Sequence, residues 1–117
     1  MVNKVDPLTL LEAGLKAAGM RQAAIANNIA NIQTPGFRRS DVNFADALQE
    51  ALRGGKTSLQ DLKVQMFQPL TTDVDTSGND VSLDMEIGEL MKNDGAAKTY
   101  LRMLGKLYRQ MDTAIGG

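Results

Sequence analysis

The stretch DPLTLLEAGLKAAGMRQAAIANNIANIQTPGF, residues 6–37, decides the fold because it begins and ends one long helix. Asp6 is a good helix cap and Pro7 fits the first helical turn. Thr34 precedes Pro35 and is therefore disfavoured in helical geometry, so we expect the helix to end near Ile32. Between these ends runs a heptad pattern, with one polar member, typical of a helix packed lengthwise against another. Its members are Leu8, Leu11, Leu15, Ala18, Gln22, Ile25, Ile29 and Ile32.

The C-terminal third of the chain repeats this pattern. Ser82 is a suitable helix cap, and the acidic residues that follow it favour the positive end of the helix dipole. The second pattern again has one polar member, Asp94, and predicts a second long helix. Its members are Leu83, Ile87, Leu90, Asp94, Ala97, Leu101, Leu104, Tyr108, Met111 and Ile115.

The middle of the chain has weaker signals. Ser40-Asp41 is expected to cap a short helix near residues 42–53 that ends at Gly54-Gly55, and alternation over 62–66 predicts a strand. The run TTDVDTSGND, residues 71–80, reads as extended chain with a turn. The sequence therefore predicts three segments of one structural unit: a coiled-coil helix in 1–33, an extended arm in 34–80 and a coiled-coil helix in 81–117.

The expected fold class is mainly α, with the N- and C-terminal helices pairing as an antiparallel coiled-coil hairpin and a loosely structured middle arm. An apolar face of this kind is commonly just the packed face of a monomer. Here the chain is short and other sources of core are few, which favours a hairpin that also packs against other copies. Small residues in the first helix, such as Gly14 and Gly19, fit either tolerance or close approach by another helix.

Composition excludes several kinds of chemistry. The chain has no Cys and no His, so thiolate chemistry, disulfides and imidazole sites are absent. The calcium-loop pattern is incomplete because its twelfth position is Asp84 and no helix precedes it, which favours a solvated turn. A net charge of −1 gives no reason to expect nucleic acid. We expect no enzyme, no cofactor, no metal site, no small-molecule substrate and no cleaved signal peptide.

Three asparagines, Asn27, Asn28 and Asn31, stand at the end of the first helix. One explanation is helix fraying before Pro35, because Asn also suits turns. The other is a polar patch whose amides fix the register of a contact between subunits. The residues alone leave these two explanations balanced.

Two stretches resemble the bacterial flagellar basal-body rod protein family. Residues 21–48 carry Asn-Ile-Ala-Asn followed by a Thr-Pro-Gly-aromatic turn, and residues 78–100 are similar to the C-terminal signature of the proximal rod members. Two positions depart from the pattern: Asp94-Gly95 interrupts the second helix, and Leu101 follows Tyr100 where the family often has Gln. The small size most resembles a proximal rod member.

The resemblance implies a structural subunit of the proximal rod, the drive shaft between the membrane ring and the hook, needed for flagellum-dependent motility. It implies a location in the basal body and export through the flagellar type III apparatus. Its implied partners are other rod subunits, further copies of itself and the protein at the junction of membrane ring and rod. The alternative is a soluble helical-hairpin adaptor or export chaperone. The residues expected to serve assembly are Asn28, Asn31, Thr34, Pro35, Gly36, Phe37, Leu15, Ile25, Ile29, Leu90, Leu101, Leu104 and Tyr108.

Overall fold

The computed structural model describes residues 6–53 and 62–116. Three helices, α1 (Pro7–Ala30), α2 (Phe44–Arg53) and α3 (Leu83–Gly116), account for most of these residues. Two short strands, β1 (Asp41–Val42) and β2 (Met66–Phe67), pair antiparallel in the intervening segment. The long helices α1 and α3 pack against each other as an antiparallel hairpin, which confirms the predicted fold class. The molecule is 63 Å long and 15 Å across its thinnest direction.

Both ends of α1 form where the sequence predicts a helix start and stop. The Asp6 side chain accepts a hydrogen bond from the Leu8 amide at 3.1 Å, which satisfies one of the free amides of the first turn. At the other end Asn31 is the C-cap, and its amide donates to the carbonyl of Asn27 at 3.1 Å. The helix thus ends at Ala30, slightly before the predicted Ile32.

The packed stripe of α1 is rotated slightly from the predicted heptad pattern. Leu11, Ala18 and Ile25 belong both to the predicted pattern and to the packed stripe, and they are buried. Two other members of the predicted pattern are not buried: Leu15 is half-buried and Gln22 is exposed. The additional buried positions lie one residue before predicted ones, and they are small or polar: Gly14, Ala17, Ala24 and Asn28. The side of α1 that faces α3 is therefore the side that allows close approach, and not the side with the largest apolar side chains.

The core is thin. Five of the nine buried apolar residues among those described are alanines. The remaining four are Leu11, Ile25, Val42 and Leu104. A core of this size buries little apolar surface, so the way in which the two helices are held together depends unusually strongly on polar contacts.

Two local predictions about secondary structure are wrong. Ser40-Asp41 does not cap the short helix, because Asp41 lies in β1 and the carbonyl of Asn43 accepts the first helical hydrogen bond from Ala47. The strand predicted over residues 62–66 is confined to Met66–Phe67, where Asp41–Val42 provides the pairing partner. α3 is continuous through Asp94-Gly95, as the heptad pattern predicts, although these two residues depart from the family's pattern. The helix end predicted at Gly54-Gly55 lies outside the described residues.

Candidate functional site

A cluster of buried polar side chains joins the end of α1 to the start of α3. We call this cluster the polar clasp. Each of its members is at most 4% exposed, although all are residue types that normally face water. The members are Asn28, Arg39, Asn79, Asp80 and Glu86. We call the end of the hairpin that contains the clasp the turn end, and the opposite end the open end.

Asn28 links three segments of the chain through its side-chain amide. Its Nδ2 donates to the carbonyl of Ser40 and to Oε1 of Glu86, both at 2.9 Å. Its Oδ1 accepts from the amide of Ser40 at 2.8 Å. Both hydrogens of Nδ2 are therefore used within the chain, and the side chain is fully buried. Asn28 fixes α1 to the returning loop and to α3 at one point.

Arg39 and Glu86 form a buried ion pair beside Asn28. Nε of Arg39 donates to Oε2 of Glu86 at 2.8 Å, and the two side chains are 4% and 0% exposed. Burial by itself lowers the pKa of Arg39, but the hydrogen bond and the charge of Glu86, with the charge of Asp41, raise it above its ordinary value. The guanidinium therefore stays charged and compensates the buried carboxylate of Glu86.

Asp80 and Asn79 bind the C-terminal signature to the turn after α1. The carboxylate of Asp80 accepts from the backbone amide of Arg39 and from Nε of Arg38, the latter at 3.1 Å. Nδ2 of Asn79 donates to the carbonyls of Asn31 and Thr34 at 2.9 and 2.8 Å. These two adjacent residues thereby bond backbone groups of the segment that follows α1, from Asn31 to Arg39.

The Thr-Pro-Gly turn lies against the Ser-Gly-Asn turn. The amide of Gly36 donates to the carbonyl of Ser77 at 2.8 Å. Gly36 and Gly78 have φ of 74° and 84°, values that glycine adopts without strain. A Cβ on Gly78 would lie 3.5 Å from Cα of Gly36, so the two turns are in van der Waals contact. The two sequence signatures thus fold into one structural element.

Two contacts along the hairpin fix how α1 and α3 align. A Cβ on Gly14 would lie 2.7 Å from Cζ of Tyr100, so only glycine leaves room for that ring. Nδ2 of Asn93 donates to the carbonyl of Ala18 at 2.8 Å, while its buried Oδ1 has no protein partner among the described residues. A buried amide of this kind favours one register over others.

The open end has the opposite character. With Tyr100 opposite Gly14, Pro7 lies near the level of Leu107, so residues 108–116 of α3 extend past the first residue of α1. One side of α3, along its whole length, carries large apolar residues that the described part of the chain leaves 36–83% exposed. We call them the α3 apolar stripe: Leu83, Ile87, Leu90, Leu101, Tyr108, Met111 and Ile115.

The residues expected to serve assembly fall into three environments. Ile25 and Leu104 are buried between the helices, and Asn28 is buried in the clasp. Four more are half-buried, namely Leu15, Ile29, Asn31 and Phe37. The others are exposed, in the turn or on α3: Thr34, Pro35, Gly36, Leu90, Leu101 and Tyr108.

The side chain of Asn31 is held locally. Its Nδ2 donates to the carbonyl of Asn27 at 2.9 Å, and its Oδ1 accepts from the hydroxyl of Thr34 at 3.1 Å. This arrangement closes the C-terminus of α1 and leads into the turn. A role of Asn28, Asn31 or the turn residues in contacts between subunits stays a prediction.

Sequence reasoning missed the partners of Asn28. Arg39 lies in the first stretch of resemblance, residues 21–48, and the others lie in the second, residues 78–100: Asn79, Asp80, Glu86 and Asn93. That membership is the available signal. Nothing local distinguishes these residues from other polar residues of the two stretches.

The turn around Asp75, within residues 71–80, shows no sign of a cation site, and we call it the acidic turn. Oδ1 of Asp75 accepts from the amide and hydroxyl of Ser77 and from the amide of Asn79, at 2.8, 2.7 and 3.0 Å. These hydrogen bonds, the Ser77 side chain first, lower the pKa of Asp75. In residues 6–53 and 62–116, no three acidic side chains converge as metal ligands would. Over the same residues, no helix has the length and apolarity to cross a membrane.

Comparison with known proteins finds flagellar basal body rod proteins. The family model described as flagella basal body rod protein matches residues 9–38, which span most of α1 and the following turn. The flagellar basal body rod protein FlgB of Borrelia hermsii is 31% identical, with 68% of this chain and 73% of that protein aligned. FlgB of Yersinia ruckeri is 28% identical over 90% of both chains, and FlgB of Bacillus subtilis is 27% identical over 92% of this chain and 91% of that protein.

An elongated hairpin with a polar clasp at one end and a partly exposed apolar stripe along its second long helix is a structural, assembly-forming type of helical protein. The comparisons make this specific. The chain belongs to the FlgB family of flagellar basal body rod proteins. This confirms the resemblance seen in the sequence. The relatives are structural rod proteins rather than enzymes, and membership places the chain in the basal body, in assembly with other rod and basal-body components.

Proposed function

We propose that this chain is a structural subunit of the proximal rod, which assembles by burying the α3 apolar stripe against neighbouring subunits. The single observation that carries the mechanism is the exposure of that stripe. Leu101 is 55% exposed, Tyr108 49% and Ile115 83%, although each continues the heptad pattern of a buried helix face. Apolar stripes of this extent mark interaction surfaces.

In this mechanism the two ends of the hairpin have different roles. The turn end holds α1 and α3 in one alignment before assembly, so the chain meets its neighbours with a defined shape. The open end gains most of its burial only when neighbours cover α3, which couples association to the ordering of that end. Torque on the rod is then carried by many helix contacts in parallel.

The proposed partners follow the same division. Neighbouring rod subunits and further copies of this chain cover the stripe, and the protein at the junction of membrane ring and rod contacts the assembled base. Before assembly the chain passes through the flagellar type III export apparatus. We propose no catalytic activity, because the relatives are structural proteins and the clasp residues are all engaged with one another.

The proposal is tested by replacing two stripe residues, Leu101→Gln with Tyr108→Gln, in a strain that lacks its own copy of this protein. The expected result is loss of the variant from isolated basal bodies and at least about a tenfold reduction in swimming, because two side chains, each about half exposed in the free chain, no longer contribute roughly 1 kcal/mol each of apolar burial on assembly. The free energy of unfolding of the purified chain should change by no more than about 0.5 kcal/mol.

The matched control makes the same kind of change on residues that are exposed outside the stripe, Thr99→Gln with Gln110→Ala. This control should swim normally and enter basal bodies. Normal incorporation of the Leu101→Gln, Tyr108→Gln variant would contradict the proposal. Failure of the unaltered chain to restore motility would contradict the rod role itself.

A further inference from the structure

The charges of α3 are divided along its length. The N-terminal part, residues 83–94, has four acidic side chains and one basic one. The following part, residues 95–112, has four basic side chains and one acidic one, Asp112. Glu86 is buried and paired with Arg39, and two pairs on the surface of α3 partly neutralise each other, Lys92–Glu89 at 3.9 Å and Lys98–Asp94 at 3.0 Å. The surface charge that remains is negative in the first half and positive in the second, and these halves are complementary.

The basic residues form a stripe on one face. Lys98, Arg102, Lys106 and Arg109 are spaced by four, four and three residues, which places them on the same side of a helix with 3.6 residues per turn. All four are exposed. Lys98 pairs with Asp94 at 3.0 Å, whereas the other three have no carboxylate within 4.0 Å in the part of the chain that the structure describes.

The apolar stripe runs beside both charged halves. In the acidic half it contributes Leu83 and Leu90, next to the exposed carboxylates of Asp84 and Asp94. In the basic half the apolar stripe includes Leu101 and Tyr108, which lie next to the basic stripe. The same side of α3 therefore offers apolar-plus-acidic surface in one half and apolar-plus-basic surface in the other. These two halves complement each other.

We propose that the basic half of α3 in one copy of this chain packs against the acidic half of α3 in a second copy. The apolar stripes supply the buried area, and the charges set which halves meet. The centres of the halves are about 15 residues apart, so parallel helices in this contact are displaced by roughly 22 Å along their axes. A displaced contact leaves a basic half and an acidic half free for further copies, as an open assembly requires. This inference rests on the proposed rod function.

Charge reversal tests the contact. One variant makes both halves acidic, Arg102→Glu with Lys106→Glu, and another makes both halves basic, Asp84→Lys with Asp94→Lys. Self-association of the purified full chain is measured by sedimentation at concentrations up to about 500 μM in about 50 mM salt, where exposed charges are weakly screened. Each variant should associate at least about tenfold more weakly than the unaltered chain, since several exposed pairs become repulsive.

Two recoveries identify the contact. A chain carrying all four reversals should associate within about threefold of the unaltered chain, because its halves are again complementary. An equimolar mixture of the two variants should associate although each alone does not. The control reverses two exposed lysines outside α3, Lys16→Glu with Lys63→Glu, and should associate like the unaltered chain. Far-UV circular dichroism confirms that every variant keeps its helices.

The outcomes separate the contact from the rod function. Absence of self-association by the unaltered chain, unchanged association of either charge variant, or lack of recovery by the fourfold variant would overturn the contact. Restoration of motility by the unaltered chain together with normal motility of both charge variants would overturn the contact and leave the rod function standing. No restoration by the unaltered chain would overturn the rod function.

Discussion

At the turn end of the hairpin, Asn28 and Glu86 are completely buried, whereas toward the open end Leu101, Tyr108 and Ile115 are 49–83% exposed. The usual arrangement of a soluble protein is thus reversed, with polar groups inside at one end and apolar groups outside at the other. Buried polar groups specify one geometry because each needs its partner, and exposed apolar groups gain free energy when another surface covers them. The comparison teaches that the clasp at the turn end sets the chain's own shape, whereas assembly depends on apolar side chains that the chain itself leaves uncovered.

The largest expected effect comes from breaking the clasp. Glu86→Leu removes the carboxylate that pairs with Arg39 and accepts from Asn28, and leaves a buried guanidinium without its closest partner. The free energy of unfolding should fall by about 3–5 kcal/mol, measured by denaturant titration of the helical signal. Glu89→Leu, three residues along the same helix and partly exposed, is the matched control and should cost less than about 1 kcal/mol. Equal losses would refute the central place given to the clasp.

A smaller effect is expected where α1 approaches α3. Gly14→Ala places a methyl group 2.7 Å from Cζ of Tyr100, so the ring or the helix must move. We expect the free energy of unfolding to fall by about 1–3 kcal/mol, and part of this loss to be recovered when Tyr100→Leu is added. Denaturant titration of the single and double variants measures both changes.

The matched control for Gly14 is Gly19→Ala in the same helix, where a Cβ meets nothing within 4 Å. That change should stabilise the chain by up to about 1 kcal/mol, because alanine favours the helix more than glycine does. Stabilisation by both substitutions would contradict the close approach of Tyr100 to α1.

The smallest effect concerns the acidic turn. The pKa of Asp75 is lower in the folded chain than its ordinary value, so folding is favoured where the carboxylate is ionised. This contribution is fully present above the ordinary pKa of aspartate and is lost as pH falls through the lower, folded pKa. The Asp75→Asn variant should therefore be slightly less stable than the unaltered chain at neutral pH, and the difference should shrink on acidification. A difference that grows as pH falls would contradict the hydrogen bonds assigned to this carboxylate.

The long helices were predictable because their signals are local. Asp6 and Pro7 begin α1, Pro35 forbids its extension, and recurring apolar residues define α3. The rotation of the packed stripe was not predictable, because the heptad pattern measures apolar mass whereas the observed packing depends on close approach at Gly14 and on a buried amide. Periodicity identifies the helices without identifying which of two adjacent faces meets the partner.

The clasp was only partly predictable. Asn28 stood out because a poor helix former occupied a helix end, and Asn79 lay in the second resemblance. Their connection was beyond local reasoning, because Asn28 and Glu86 are 58 positions apart and meet only after the hairpin closes. The structure also changes the interpretation of Asn28, since fraying does not account for a fully buried, fully bonded side chain.

Hydrogen exchange along α3 of the isolated full-length chain tests the division between the two ends most directly. The measurement follows amide protection from Glu86 through Ile115 by mass spectrometry at neutral pH. The account predicts strong protection near Glu86 and Asn93, where the clasp and α1 hold the helix, and exchange close to the unprotected rate beyond Tyr108, where α3 passes the end of α1. Uniform protection along the whole of α3, or protection greater beyond Tyr108 than at Glu86, would contradict it.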